Sequence, residues 1–420
     1  MTKQECLQST ENKKSTFFYG YVIVIVSFFI ITIMAGIFYS FGIFLKPLSA
    51  EFGWTRVTIS GAYSMFIFML GFLYMVSGRL SDRFGPRIVT TICGCFAGLG
   101  LLLMSQVNTV WQLYLFYGLV VAMGISGGFV PLTSTVARWF VKRRGMMTGI
   151  VVSSIGAGQM VMPPIARWLI SSYGWRTSYA IIGIISLVLI ISAAQFLRHN
   201  PGQMGLLPYG EREIKKEELG SKTRGLSIGE AVHTGQFWMV IAIYFCYGFF
   251  LQSIMVHIAP HATELGISPT SAANILAIIG GAGIVGRVII GSASDRVGAR
   301  ASLAFAFILA SVILLWLQLA EELWMLYLFA VIFGFAYGGI ITVQSPFVAR
   351  LFGLGSHGAM LGIVVWSGTS SGAIGSLLAG YIFDITGNYY SAFWGCAIVG
   401  VIGFILVLLL RPIRGLTKNI

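Results

Sequence analysis

The decapeptide GRLSDRFGPR at residues 78–87 recurs as GSASDRVGAR at residues 291–300, which is 213 residues further along the chain. Four more pairs have the same spacing: Gly145 and Gly358, Met147 and Met360, Gly149 and Gly362, and Gly174 and Gly387. A repeat on this scale is typical of a protein built from related structural units. The sequence therefore predicts two similar halves that follow one another along the chain.

The composition predicts that both halves lie in a membrane. Of the 420 residues, 57% are hydrophobic and 10% are charged, and the mean hydropathy is +0.86. Apolar windows of about 20 residues, the length that crosses a bilayer as a helix, recur along the chain, and no alternating pattern indicates strands. The net charge of +13 would suggest nucleic acid in a soluble protein. In a membrane protein it is explained by basic loops on one face, so we expect no nucleic acid partner.

Charges and turn residues divide the apolar sequence into twelve segments. These segments lie near 18–45, 57–78, 86–106, 111–137, 146–169, 175–197, 237–259, 269–293, 300–320, 323–349, 358–383 and 388–410. The expected fold is an all-α membrane protein with 12 transmembrane helices in two six-helix, pseudo-symmetric bundles. The bundles occupy 18–197 and 237–410, and the mixed charges of 198–236 predict a cytoplasmic linker between them. Residues 1–17 and 411–420 are the terminal segments.

The positions of the basic residues predict the orientation. With the N-terminus inside, most of the 27 lysines and arginines lie on the cytoplasmic side, and the outer loops hold only Lys46, Arg56, Arg167 and Arg176. Short loops rich in lysine and arginine stay in the cytoplasm. We therefore expect a multi-pass protein of the plasma membrane, or of the inner membrane in a bacterium, with both termini cytoplasmic.

Arg287 is the one basic residue that this division leaves inside a membrane segment, in the stretch NILAIIGGAGIVGRVIIGSA at 274–293. It precedes Asp295 by eight residues, which places it about 12 Å above the cytoplasmic helix end. A guanidinium stays charged, so at this depth it needs a water-filled cavity or a partner. An arginine that reaches the inner interface is the alternative. Because no carboxylate is expected at that depth, we favour a cavity-facing cation that binds an anion.

Other motifs exclude cofactor chemistry. Gly281, Gly283 and Gly286 spell G-x-G-x-x-G, but no strand precedes them and no acidic residue follows a second strand, so we do not expect a dinucleotide site. No G-x-x-x-x-G-K-[ST] motif occurs, which argues against a nucleotide partner. The five cysteines are scattered without metal-ligand spacing, and we expect no metal.

The repeated decapeptide resembles the signature loop of the major facilitator superfamily, G-x-x-x-D-R-x-G-x-R, between the second and third helices. The resemblance implies that a carboxylate, nearby arginines and a helix end hold the halves together on the cytoplasmic side. The expected gate residues are Gly78, Asp82, Arg83, Gly85, Arg87, Asp295, Arg296 and Arg300. The arginines could alternatively be topology anchors alone, although the aspartates add nothing to such a signal.

A narrower resemblance is carried by ARWFVKRRGMMTGIVVSSIGAG at 137–158 and, more weakly, by FYGY at 18–21. These stretches are similar to motifs of the monocarboxylate transporter family, to which oxalate and formate exchangers are related. The family carries a substrate-binding arginine in its eighth helix, which implies that role for Arg287. The chain departs from the family at Gly283, where an aspartate is common. The exchangers add a lysine in the eleventh helix, and 358–383 contains none. A substrate with one carboxylate is therefore favoured over a substrate with two.

Further site residues are expected on the helices that line the central cavity in this superfamily. Four residues are predicted to bind the substrate together with Arg287 or to pack beside it: Tyr39, Tyr117, Tyr337 and Ser371. His257 and Glu264 are the candidates for proton coupling, with His261 near them, and Pro260 is expected to interrupt their shared helical face. Histidines near a loop could instead be interfacial.

Together these features predict a carrier, not an enzyme, that moves a small monocarboxylate of the lactate or pyruvate class with a proton by alternating access. The expected partners are the anion, the proton and the bilayer. The alternatives are an anion exchanger of the oxalate and formate type and a membrane sensor that keeps the carrier fold. A drug exporter is disfavoured because the chain lacks membrane-embedded acids for cations.

Overall fold

A computed structural model describes residues 18–210 and 225–410 of the chain. Within these residues the regular structure is helical, and the only β-type pairing is an isolated bridge between Phe140 and Tyr209. Eleven helices of the described part are long and apolar enough to cross a membrane. One of them, Arg144–Ala194, has 51 residues, which would be about 77 Å long and more than twice the thickness of a bilayer.

Gly174 divides this long helix in two. Its φ of 76° and ψ of 163° are not helical, and glycine reaches a positive φ without the steric cost that a side chain would impose. The first part, 144–173, and the second part, 175–194, are therefore separate spans. The predicted all-α fold with twelve transmembrane helices is confirmed. The helices are α1 (Gly20–Phe52), α2 (Arg56–Phe84), α3 (Pro86–Met104), α4 (Val110–Trp139), α5 (144–173), α6 (175–194), α7 (Gly235–Glu264), α8 (Pro269–Val297), α9 (Ala299–Trp316), α10 (Leu323–Phe352), α11 (His357–Thr386) and α12 (Tyr390–Leu409).

Two helices differ from the sequence-based expectation. The expected interruption at Pro260 is wrong, because α7 continues through this residue to Glu264. A proline removes one backbone donor but does not force a helix to end, since neighbouring helices support the backbone of a membrane helix. In addition, α4 contains a π-helical section, Tyr114–Val121, and a break at 126–128.

The buried apolar residues form two clusters, one drawn from α1–α6 and the other mainly from α7–α12. Two helix pairs cross from one bundle to the other: α2 packs on α11 and α5 packs on α8. The pairs are equivalent under the repeat, because α8 corresponds to α2 and α11 to α5. This arrangement gives the molecule the pseudo-symmetry that the sequence repeat predicted.

Both described ends of the linker pack against the bundles instead of extending into solvent. The Tyr209 amide donates to the Trp139 carbonyl at 2.9 Å, and the Leu226 amide donates to the Phe352 carbonyl at 2.9 Å. Trp139 and Phe352 are 213 residues apart and end α4 and α10, so the linker contacts equivalent helix ends of the two bundles. We call this end of the molecule the linker face. The charged part of the linker, 211–224, and the predicted terminal segments 1–17 and 411–420 lie outside the described residues.

Candidate functional site

Arg287 is buried at the contact between α8 and α10, with 2% of its surface exposed. Gly286 allows this contact, because a Cβ there would lie 2.1 Å from the Phe335 carbonyl oxygen. The close approach brings Tyr337 of α10 to the arginine. Arg287 Nη2 donates to the Tyr337 hydroxyl at 3.1 Å, and its guanidinium carbon lies 5.4 Å from the centre of the tyrosine ring. The predicted pair of Arg287 and Tyr337 therefore lies together.

The guanidinium of Arg287 is otherwise unsatisfied. Its Nε and Nη1 atoms are buried and have no hydrogen-bond partner. Ion pairs among the described residues join Arg138 to Asp82 and Arg176 to Glu51, and none includes Arg287. A buried donor without a partner costs about 1–3 kcal/mol, and more when it is charged. The fold thus holds a cation in a state that an incoming anion would stabilise.

Two more tyrosines surround this cation. Tyr39 of α1 and Tyr247 of α7 both lie close enough to interact electrostatically with Arg287 and with Tyr337. The Tyr247 hydroxyl also donates to the Tyr337 carbonyl at 3.4 Å. The arginine therefore faces phenol groups from both bundles, and these groups can donate hydrogen bonds to an anion held between them.

A cavity of about 240 Å³ lies between the bundles beside this cluster, and Tyr39 and Tyr247 form part of its wall. Most of the wall is apolar, with Ile31, Phe38, Ile67, Leu70, Phe129, Ile155, Ile341 and Val365 among its residues. Its other polar side chains are those of Tyr74, Gln252, Gln344 and Thr369. A mainly apolar wall with a few polar groups is typical of a site for a small organic ligand.

Sequence reasoning missed Tyr247, Gln252 and Gln344. The glutamines carried a usable signal, since an amide inside a membrane helix usually faces the bundle interior. Tyr247 carried none, because tyrosines are common in this chain and most of them pack against other side chains.

Of the five predicted substrate residues, only Tyr39 is part of the cavity wall. Arg287 and Tyr337 are not part of the wall but lie near its residues Tyr39 and Tyr247, and the other two lie away from it. Tyr117 lies in the core of the first bundle, where its ring stacks on Phe41 at 4.0 Å and on Phe66 at 4.8 Å. Ser371 is buried at the contact between α7 and α11, and its hydroxyl donates to the Gly368 carbonyl at 2.9 Å. Their proposed contact with a substrate stays a prediction.

The candidate proton-coupling residues lie at the far end of α7 from the linker face. His257 Nε2 donates to the Ser376 carbonyl at 3.0 Å, and its ring is 5.0 Å from that of Tyr389. His261 is buried against Tyr389 and Phe393, whereas Glu264 is exposed at the helix end. Both histidines therefore contact Tyr389, and neither is part of the wall of the central cavity.

Asp82 joins the two bundles at the linker face. Its carboxylate accepts hydrogen bonds from the amides of Gly358 and Ala359 at 3.0 and 2.9 Å, at the first turn of α11. It also pairs with Arg138 of α4. Gly78 lets the helices approach, because a Cβ there would lie 2.2 Å from the Gly358 carbonyl oxygen. The carboxylate is stabilised by the amides and the dipole of the helix N-terminus.

Asp295 makes the equivalent contact from the second bundle to the first. It accepts hydrogen bonds from the amides of Gly145 and Met146 at 2.7 and 2.9 Å, at the first turn of α5. Each aspartate thus binds a helix N-terminus of the opposite bundle. We call the contacts of Asp82 and Asp295 together the linker-face gate; in this structure they join the two bundles.

The arginines of the repeated motif do not touch these aspartates. Arg87 donates to Gln195 Oε1 at 3.0 and 2.7 Å, Arg300 donates to carbonyls at the end of α12, and Arg83 lies over the Phe84 ring. No contact is recorded for Arg296, and Gly85 ends α2. The arginine that pairs with Asp82 is Arg138, which lies outside the motif and was missed.

Pseudo-symmetric bundles of membrane-spanning helices, joined at one face and with a cavity between them, are typical of a membrane transport protein. A family model of the Major Facilitator Superfamily matches residues 26–292 and 240–419. The chain belongs to this superfamily and is a transporter rather than an enzyme.

Individual relatives are similar along most of their length. The chain is 28% identical to monocarboxylate transporter 13 of Rattus norvegicus over 390 residues, which covers 89% of this chain and 85% of that protein. It is 24% identical to monocarboxylate transporter 7 of Homo sapiens over 455 residues, which covers 94% and 87%. The crystal structure of the fucose:proton symporter of Escherichia coli superposes with a TM-score of 0.69 at 15% identity, covering 92% of this chain and 99% of that one. At this identity the symporter shows a shared fold only.

Proposed function

We propose that the protein carries a small monocarboxylate together with a proton across the plasma membrane by alternating access, and that Arg287 binds the carboxylate. The observation that supports this proposal is the buried guanidinium with two unpartnered nitrogens beside the central cavity. A planar carboxylate matches the guanidinium fork, and such charge-assisted bonds are stronger than neutral ones. The similarity to proteins named monocarboxylate transporters favours the same substrate class.

The surroundings of Arg287 favour a singly charged substrate with an apolar part. No second cation is recorded beside Arg287 in the described chain, so a dicarboxylate would keep one uncompensated charge in a mainly apolar cavity. Tyr39 and Tyr337 can donate to the carboxylate or to an adjacent oxygen, as in a lactate or pyruvate. The apolar wall then contacts the rest of the molecule.

The linker face is proposed to be cytoplasmic, because the basic loops of the sequence lie at this end. In this orientation the closed gate blocks access from the cytoplasm. Substrate would enter from the opposite face, and opening of the gate would release it inside. The two gate contacts break together when the bundles rock, since they connect equivalent helices.

His257 and Glu264 are the proposed proton-coupling residues. His257 joins α7 to α11 through the Ser376 carbonyl, so a change in its charge would act on a contact between these two helices. It lies ten residues, or about 15 Å, along α7 from Tyr247. Coupling at this distance would act through movement of α7 and not through contact with the substrate. If His257→Gln leaves pH-driven uptake unchanged, this assignment is wrong.

Uptake of labelled monocarboxylates and dicarboxylates into proteoliposomes tests the main proposal. Arg287→Ala should reduce monocarboxylate uptake by about 30- to 1000-fold, the equivalent of losing about 2–4 kcal/mol of charge-assisted binding. Arg167→Gln removes an exposed arginine and serves as the matched control. Symport should respond to an imposed pH gradient without internal substrate, whereas exchange should require internal anion. Undiminished uptake by Arg287→Ala would refute the assignment of the binding residue.

A further inference from the structure

His199 lies just beyond the end of α6 and contacts the linker-face gate. Its Nε2 atom is 2.5 Å from Arg138 Nη1, and Arg138 is the arginine that pairs with Asp82. Gly85, at the end of α2, lies against the histidine, since a Cβ there would be 3.4 Å from the His199 Cβ. His199 thus lies behind the ion pair that binds the N-terminus of α11.

The contact with Arg138 defines the protonation state of the imidazole. An arginine side chain can only donate hydrogen bonds, so Nε2 must accept, and the proton of the neutral ring is on Nδ1. The Nδ1 atom is buried and has no hydrogen-bond partner in the part of the chain that the structure describes. A second proton on Nε2 would replace the acceptor by a donor and place two cations in contact. The closed gate therefore requires a neutral His199.

We propose that His199 is a positioning residue of the linker-face gate, which holds Arg138 against Asp82 while it is neutral and releases the gate when it is protonated. Protonation would turn the attraction between His199 and Arg138 into repulsion. The pair of Arg138 and Asp82 would weaken, and with it the hydrogen bonds from Asp82 to α11. A more acidic solution at the linker face would then favour opening.

Within residues 18–210 and 225–410, the charged and titratable groups around His199 are few. From α4 it faces Arg138, and from α2 it faces Gly85, with Asp82 behind the arginine. The neighbouring Arg198 donates to the Gln195 and Leu197 carbonyls, and the His199 amide donates to Gln203 Oε1. Arg87 of α3 is bonded to Gln195. The remaining histidine near the gate is His357, whose Nε2 donates to the Ser345 carbonyl at 3.0 Å.

The pH range of the effect follows from the burial of His199. Desolvation, and secondly the charge of Arg138, lower its pKa from 6.5 to about 4 in the closed gate. If opening returns the ring to water, its pKa returns towards 6.5, so the closed state keeps its full stability above that value and loses it as the pH falls towards 4. Between pH 7.5 and 5.5 the ratio of closed to open molecules should fall by at most about tenfold.

The gate can be measured in the full chain without substrate. Spin labels at Ile88 of α3 and Leu409 of α12, both exposed, report the separation of the two bundles in lipid nanodiscs once the native cysteines are replaced. In the otherwise unchanged chain we expect the population with the longer distance to grow as the pH falls from 7.5 to 5.5. No transport is involved, so the result is independent of whether the substrate is a monocarboxylate.

Three variants separate this inference from a purely structural role. His199→Gln keeps an acceptor for Arg138 but does not titrate, so its distances should stay constant over this pH range. His199→Lys carries a permanent charge and should be open throughout. His233→Gln, the matched control at an exposed histidine just before α7, should respond to pH as the unchanged chain does. The inference is wrong if the unchanged chain does not respond, or if His199→Gln, folded by its thermal melting profile, responds in the same way.

Discussion

The two aspartates of the gate make similar backbone contacts but have different surroundings, so their replacement should have unequal effects. Asp82→Asn removes the charge that binds two amides of α11 and leaves Arg138, whose side chain is 11% exposed, without its ion pair. Asparagine keeps one acceptor, so the loss is one to two charge-assisted bonds, or about 2–4 kcal/mol. The ratio of open to closed molecules should therefore increase by about 30- to 1000-fold.

Asp295→Asn should have a smaller effect. Asp295 is exposed, so water screens its attraction to Arg144 and Arg143 and compensates for part of the lost charge. We expect the closed state to lose about 1–2 kcal/mol of stability, so the ratio of open to closed molecules should increase by about 5- to 30-fold. For both variants, open molecules are those that show the longer distance between spin labels at Ile88 and Leu409, measured at pH 7.5. Asp384→Asn, an exposed acid at the other end of the molecule, should leave this ratio unchanged. Equal shifts for the two gate variants would refute the role assigned to Arg138.

Three further replacements test the site, the helix contacts and the linker. Tyr337→Phe removes the only side-chain hydrogen bond that Arg287 makes within the described residues. The empty carrier should therefore return more slowly, and net efflux should fall by more than exchange does when both are measured in proteoliposomes. Gly78→Leu should hold the gate open, seen as a longer inter-label distance, because its side chain would overlap the backbone of α11, whereas Gly395→Ala, in open space, should have no effect. Tyr209→Ala removes aromatic contacts with Phe18, Tyr21 and Phe140 that are worth about 0.5–1.5 kcal/mol each. The amides at 141–146, which follow Phe140, should then exchange hydrogen about tenfold faster by mass spectrometry.

The fold could be predicted because its causes are local or periodic in the sequence. Spans follow from apolar length, and the two bundles follow from the repeat of 78–87 at 291–300. The course of α7 past Pro260 could not be predicted, since it depends on helices that pack around it. The π-helical section of α4 likewise has no local signature in the sequence, and we have no physical account of it.

Only the charged residue of the candidate site could be predicted from the sequence. Arg287 could be singled out because a cation in an apolar helix is costly wherever it lies. Its contact with Tyr337 depends on how closely Gly286 lets α8 approach α10. Arg138 and His199 could not be assigned to the gate because they follow other helices, and only the fold brings them to Asp82. The sequence pattern does not predict contacts between segments that are far apart in the chain.

In the proposed mechanism, the single charge of Arg287 also determines how transport would respond to membrane potential. The empty site carries one positive charge, and one bound monocarboxylate neutralises it. If a proton accompanies the anion, the loaded site again carries one positive charge, so loaded and empty carriers cross with the same charge and symport is electroneutral overall. An exchanger would cross only with anion bound, and its mobile site would be neutral. Moving one charge across 100 mV involves about 2.3 kcal/mol.

Potential therefore distinguishes the two mechanisms. In a symporter, a potassium diffusion potential should change the rate of the empty return step and hence net uptake at saturating substrate, without changing the final accumulation set by the pH gradient. In an exchanger, neither the rate nor the accumulation should respond. A change in final accumulation with potential would contradict both mechanisms, because it requires net charge to cross in each cycle. In that case a second charge would have to move with the substrate and Arg287.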